Sequence, residues 1–226
     1  MTIKVKVCGI TDEEEMKKIE KLSVDRIGFI NIERSKRNVS LDKAEYLGKK
    51  LSNKNLGTLV LEPENAYKTI MKVDRTQIFN IQLHSLNNFD IRYIQWLNQY
   101  HNCNHLNITK VIGLKDKIYE AKIREIEKYC LYCDNILFDY VKDGLTGGTS
   151  RQIPIETAIK ASKIVKRKCN RTEVTLAGGL NYEYLKSIKD KLDYFDRIDI
   201  NSGVERSPGR KDINEIKRVL KLIDKT

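Results

Sequence analysis

Two ionisable side chains stand where short apolar runs end. Cys8 closes Val5-Lys6-Val7, and Asp139 closes a run that begins at Asn135. A thiol ionises at about pH 8.5 in water, and a neighbouring cation lowers that value. Arg37 could supply such a cation if it reaches the same pocket. One group that takes a proton and a second that gives one are what a proton-shuffling isomerase needs. Seen alone, a cysteine at a strand end is more often a small core residue. A lone carboxylate there could equally serve a structural ion pair. The chemistry therefore depends on whether the fold brings the two together.

Glycines supply a second clue. Gly178-Gly179 follows the apolar run Val174–Ala177, and Ser202-Gly203-Val204 follows a run ending at Ile200. A glycine pair lets backbone approach an anion with no Cβ in the way. A short helix opening at Ser202 would turn free N–H groups toward the same anion. A phosphate is the expected ligand of Gly178, Gly179, Ser202 and Gly203.

The elements that must position these residues repeat one beat: a short apolar run, a turn, then a longer stretch with helical periodicity. Strands are expected at Val5–Val7, Asp25–Ile30, Leu56–Leu61, Ile78–Leu83, Ile108–Ile112, Asn135–Asp139, Val174–Ala177 and Tyr194–Ile200. The intervening helices are expected at Asp12–Leu22, Leu41–Leu51 with Ser40 as N-cap, Pro63–Val73, Phe89–Leu97, Lys117–Tyr129, Ile155–Arg167, Tyr182–Ile188 and Ile213–Ile223. Helical crossovers imply parallel pairing. An open doubly wound sheet alternates in the same way, but eight units favour a closed (β/α)8 TIM barrel, read as a single α/β domain over 1–226. In such a barrel the active site lies at the C-terminal strand ends. Cys8, Arg37, His84, Asp139, the Gly178 pair and Asp199 all fall there.

Composition fits this reading. The chain has 226 residues, 40% hydrophobic and 32% charged, with 3 prolines and 12 glycines, so it is neither collagenous nor disordered. Without a long apolar run or a signal-like start, a cytoplasmic protein with no membrane contact is expected. The net charge of +11 is spread along the chain among 31 acids, in the manner of solvated helix faces. No nucleic-acid partner is therefore expected, although the positive field would favour an anionic small substrate. Five cysteines, an odd number, argue against a disulfide framework. Cys130 and Cys133 form a CxxC that closes a helix rather than opening one, and its only nearby ligands are His101, Cys103 and His105. No metal is expected.

Several motifs in order resemble the phosphoribosylanthranilate isomerase family of tryptophan biosynthesis. They are Lys6-Val7-Cys8-Gly9-Ile10-Thr11, Gly28-Phe29-Ile30 with Ser35-Lys36-Arg37, Gln82-Leu83-His84, Leu137-Phe138-Asp139 with Gly147-Gly148-Thr149, Leu176-Ala177-Gly178-Gly179, and Asp199-Ile200-Asn201-Ser202-Gly203-Val204-Glu205 with Ser207-Pro208-Gly209-Arg210-Lys211-Asp212. The resemblance implies a barrel enzyme, an aldose–ketose isomerase working without a cofactor as a monomer or homodimer. Its reaction would be the Amadori rearrangement of N-(5-phosphoribosyl)anthranilate to 1-(o-carboxyphenylamino)-1-deoxyribulose 5-phosphate. It implies Asp139 as general acid, Cys8 as base, Arg37 on the substrate carboxylate, Asp199 near the amine or sugar, and His84 lining the pocket.

The chain departs from the family pattern at Ser150-Arg151, where Gly-Lys is usual, at Ser85, and at Asn31-Ile32-Glu33. These bear on substrate positioning rather than on the acid–base pair. The nearest rival is the related histidine-pathway isomerase, which uses two carboxylates and two phosphate sites. Cys8, and Leu61-Glu62-Pro63 after the third strand, fit it poorly. A non-catalytic barrel and a nucleic-acid-binding protein are the alternatives of other classes.

Overall fold

The computed structural model describes residues 3–100, 106–141 and 151–223. Eight strands pair in sequence order and close on themselves: β1 (Lys4–Cys8), β2 (Arg26–Asn31), β3 (Gly57–Leu61), β4 (Asn80–Leu83), β5 (Asn107–Leu114), β6 (Asn135–Tyr140), β7 (Glu173–Leu176) and β8 (Arg197–Ile200). Every ladder of this barrel is parallel, and β8 returns to β1 with Lys6 beside Asp199. Helices cover the outside: α1 (Glu13–Glu20), α2 (Leu41–Lys50), α3 (Ala66–Thr76), α4 (Asn88–Tyr100), α5 (Glu120–Tyr129), α6 (Ile155–Lys168), α7 (Tyr182–Ser187) and α8 (Ile213–Leu222). The expected (β/α)8 barrel is the fold.

Strand alternation divides the interior in two. Val5, Val7, Ile27, Phe29, Leu59, Leu61, Ile81, Ile136, Phe138, Val174, Ile198 and Ile200 point outward and build the main core against the helices. The opposite faces line the lumen. Its upper part holds apolar layers from Cys8, Ile30 and Val60, and from Val111, Leu137 and Ala177. Its floor is polar, with Thr58, Asn80, Thr109, Asn135, Thr175 and Arg197 around a residual space of about 10 Å³. Asn135 and Thr175 bond each other there, at 2.9 and 3.0 Å.

Local chemistry sets the helix starts. Asp12, Ser40, Asn65, Asn181 and Asp212 each accept a hydrogen bond from an amide of the first turn, satisfying donors that have no intrahelical partner. The third helix begins at Ala66 rather than at Pro63, because the Asn65 side chain caps the amide of Lys68 at 2.9 Å. The eighth strand is shorter than the sequence suggests. Lys189–Tyr194 forms a 3-10 helix, and pairing starts at Arg197. The preceding Asp196 uses its carboxylate to hold the Val174 amide at 2.7 Å. A short antiparallel hairpin, β9 (Glu205–Ser207) and β10 (Arg210–Lys211), follows the barrel and is absent from the sequence reading. Cys130 caps the C-terminus of α5, so the CxxC closes a helix as expected. His101, Cys103, His105 and the Gly147-Gly148-Thr149-Ser150 segment lie outside the described residues. Among the described residues, no helix is long and apolar enough to cross a membrane.

Candidate active site

A cavity of about 400 Å³ opens at the C-terminal ends of the strands. Cys8, Arg37, His84, Asp139, Gly178, Gly179, Asp199 and Ser202 all line it. Residues far apart in the chain, Cys8 from β1 and Asp139 from β6, therefore meet one space. Gly203 lies just behind, in the 3-10 turn Ser202–Val204. It packs so closely that a Cβ there would sit 2.0 Å from the Leu180 carbonyl oxygen. Only glycine lets that turn approach the β7 exit.

Asp139 is buried, and its Oδ1 accepts the Tyr140 amide at 2.8 Å. The neighbouring Gly178 adopts φ +90°, and a Cβ there would stand 2.7 Å from the same oxygen. The glycine pair thus serves the carboxylate as well as the rim. Arg151 stacks on the Tyr140 ring with its guanidinium carbon 4.6 Å from the centroid, which keeps a cation beside the β6 exit.

Cys8 is buried, and burial pushes its thiol above the usual range, despite the opposing charges of Lys6 and Lys211; Asp199 adds to the rise. Arg37 is not the cation that tunes this thiol. Its Nε and Nη2 are engaged with both oxygens of Glu205, at 2.5–3.1 Å, leaving Nη1 as the nitrogen not engaged there. Arg37 nonetheless lines the cavity. Glu205 also accepts from Lys211 Nζ at 2.7 Å and from the Gly209 amide at 3.1 Å. Burial alone would raise this carboxyl, but Arg37 and Lys211 hold it below the usual range. Lys211 in turn donates to Asn201 Oδ1 at 2.7 Å.

His84 is neutral. Gln82 Oε1 accepts from Lys6 Nζ at 2.6 Å, so its amide nitrogen is the atom 3.2 Å from His84 Nε2. That nitrogen donates, and Nε2 must accept, which assigns the ring proton to Nδ1. Burial, with Lys6 close by, lowers the imidazole pKa to about 3. Asp199 gives Oδ2 to Lys6 at 2.6 Å, while its buried Oδ1 has no hydrogen-bond partner among the described residues.

Sequence reasoning missed Lys6, Gln82, Glu205 and Lys211. Lys6 carried a signal, since it shares the inward face of its strand with Cys8. Glu205 and Lys211 carried none, because only the hairpin register brings them opposite each other.

A second cavity, about 440 Å³, lies at the opposite strand ends and includes Cys130 and Cys133. Burial raises both thiols, Cys130 to about 11. Buried thiols so hard to ionise are poor nucleophiles.

A closed parallel barrel with a cavity lined by ionisable side chains at the C-terminal strand ends has the architecture of the (β/α)8-barrel enzymes. The family model described as N-(5′-phosphoribosyl)anthranilate (PRA) isomerase matches residues 5–222, and the chain belongs to that family. The isomerase of Petrotoga mobilis is 32% identical over 228 residues, covering 98% of this chain and 97% of the relative. That of Methanothermobacter marburgensis is 28% identical, covering 98% and 95%. Among solved structures, phosphoribosyl anthranilate isomerase from Thermotoga maritima superposes with a TM-score of 0.78 at 24% identity, covering 98% of each chain. A further structure of such an isomerase, in complex with reduced 1-(o-carboxyphenylamino)-1-deoxyribulose 5-phosphate, superposes with a TM-score of 0.75, again at 24% identity and 98% of each chain. These solved structures speak to the fold.

Proposed function

We propose that this chain isomerises N-(5′-phosphoribosyl)anthranilate to 1-(o-carboxyphenylamino)-1-deoxyribulose 5-phosphate, the Amadori step of tryptophan biosynthesis. The observation that carries the proposal is the shared cavity: Cys8, Asp139 and Arg37 line one space whose rim includes Gly178, Gly179 and Ser202. Asp139 protonates the furanose ring oxygen, and the C1′–O bond opens to a Schiff base. Cys8, as thiolate, then takes the C2′ proton, and the resulting enolamine relaxes to the ketone. Each group works near its partner without bulk water, and the charges of Lys6 and Lys211 favour the Cys8 thiolate against the burial that opposes it.

Arg37 meets the anthranilate carboxylate through the guanidinium edge that Glu205 does not occupy. Asp199 faces the anthranilate amine or the sugar hydroxyls with Oδ1, which has no hydrogen-bond partner among the described residues. His84, neutral with Nδ1 protonated, shapes the pocket and supplies no acid at neutral pH. The phosphate sits on the backbone of Gly178, Gly179, Ser202 and Gly203, at the β7 and β8 exits where barrels of this class commonly bind phosphate. No step calls for a cofactor. The histidine-pathway reading asks for two carboxylates, and the thiol at Cys8 disfavours it.

The test is the loss of substrate fluorescence when enzymatically generated phosphoribosylanthranilate meets the purified protein. The parent consumes it, and Cys8→Ser and Asp139→Asn each lower kcat by at least about 100-fold, the ordinary contribution of a general acid or base. A folded parent with no activity refutes the proposal. Full activity in either variant refutes that residue's role.

A further inference from the structure

We propose that Lys6 is a positioning residue for Cys8: its ammonium is a counter-ion shared between Asp199 and the thiolate form of Cys8. The inference deepens the reading of Cys8 as the base and rests on it for its bearing on catalysis. The titration it predicts does not depend on the substrate.

The geometry begins with strand alternation. Lys6 and Cys8 are two residues apart on β1, so both point into the lumen while Val5 and Val7 point out. Lys6 is only 3% exposed. An ammonium has three donors. One reaches Asp199 Oδ2 at 2.6 Å and a second reaches Gln82 Oε1 at 2.6 Å. The strand beside them makes room. Gly28 pairs with Cys8 in the β1–β2 register, and a Cβ on it would stand 2.6 Å from Cys8 Sγ and 3.2 Å from Lys6 Cε. The thiol and the end of the lysine stem thus converge over the one position that lacks a side chain.

Other charges face Cys8, and each has a different commitment. Lys211 on β10 and Arg37 after β2 are both held by Glu205. Asp199 on β8 is negative and opposes ionisation of the thiol. Asp139 on β6 lines the far side of the cavity, and His84 at the end of β4 is neutral. Lys6 is the buried cation on the thiol's own strand. Burial pulls this ammonium down, but the charges of Asp199 and Cys8 outweigh burial and raise it, so it keeps its proton. When Cys8 ionises, the S–H bond breaks, sulfur keeps the electron pair and the proton leaves to solvent. The ammonium keeps all three of its protons and neutralises the anion. In turnover the thiolate takes a carbon-bound proton and becomes S–H again.

A purely structural Lys6 would neutralise Asp199 and leave the thiol indifferent to its removal. The test separates the two. Alkylation of Cys8 by iodoacetamide is followed against pH by mass spectrometry of the peptide that contains it, in the parent and in Lys6→Met, Asp199→Asn and the double variant. Lys6→Met alone strands a buried carboxylate, which costs folding stability. The double variant replaces the buried ion pair by neutral groups of similar size, a change that folds tolerate. The expected midpoint falls in Asp199→Asn, which removes the opposing charge. Measured against Asp199→Asn, it rises by about one pH unit or more in the folded double variant, the scale of a lost neighbouring charge. The rising limb of kcat/KM, along which the thiol loses its proton, moves with it, and Lys6→Arg, which keeps a cation, returns the midpoint toward the parent's. A folded double variant that titrates with Asp199→Asn overturns the proposal. A parent that shows the predicted titrations but consumes no substrate overturns the isomerase reading instead.

Discussion

His84 shows how a single side chain can be placed by the bonds of its neighbour. Lys6 fixes the orientation of the Gln82 amide, and that amide fixes the imidazole as an acceptor at Nε2. The folded pKa of about 3 lies below the ordinary histidine value, about 6.5. The unfolded chain therefore binds the proton first as pH falls. The stability that His84 contributes is complete above about pH 6.5 and drains away as pH drops toward 3. The measurement is the urea midpoint at pH 7.5 and at pH 5, values taken on the two sides of roughly that ordinary pKa. The parent loses stability between them, and His84→Gln, whose amide can still accept from Gln82, loses less. Glu205 titrates lower, below the usual carboxylate range, so it stays out of this window. Equal losses in both proteins would show that the imidazole is freely protonated.

At the scale of elements, the β7 exit does two jobs at once. Gly178 turns the chain at φ +90° beneath the proposed phosphate, and its missing Cβ leaves room for the Asp139 carboxylate. Gly178→Ala adds a Cβ at 2.7 Å from Asp139 Oδ1 and demands a backbone conformation that L-residues avoid. Both KM and kcat should suffer, with kcat down by about tenfold or more if the acid moves by a fraction of an ångström. A variant that raises KM alone would leave the glycine with the phosphate and remove it from the placement of the acid. Much of this exit was legible beforehand, because a glycine pair after an apolar run is a local signal. So was the thiol at the end of β1. The Arg37–Glu205–Lys211 cluster was not. Its members meet only when the loop after β2 packs against the hairpin that follows β8. Arg37 reaches the pocket, as the sequence reading required of it, but Glu205 holds it there, and a sequence does not show which carboxylate reaches a cation first. The starts of α3 and β8 were misjudged for a local reason. Side-chain caps and carboxylate–amide bonds, from Asn65 and Asp196, outweighed the apolar pattern there.

Over the whole molecule, 42 basic residues against 31 acidic ones leave +11. Part of the exposed charge is paired along or between helices, as in Lys18–Glu14, Arg124–Glu120 and Lys191–Glu156. Such pairs stabilise little individually. The excess acts as a field, and at the mouth of the cavity Arg34, Lys36 and Arg37 stand on one rim. Arg34 is bound to Glu62 at 2.7 and 2.9 Å, so the rim is not uniformly positive. The substrate proposed here carries a phosphate and a carboxylate. A positive molecule gathers such an anion from solution and speeds its capture. Salt shortens the reach of that field, from about 30 Å at 0.01 M to about 3 Å at 1 M. Across that range kcat/KM should fall by about tenfold or more, while kcat stays level, because charges at the surface act on encounter and not on the buried proton transfers. Sodium chloride is the salt to use, since phosphate and sulfate would compete directly at the glycine rim. If kcat/KM does not change with chloride, capture depends on short-range contacts alone, and the net charge is only the solvated surface that its even spread along the chain suggests. A parallel fall in kcat would instead place part of the salt effect inside the cavity, on the Arg37–Glu205–Lys211 cluster.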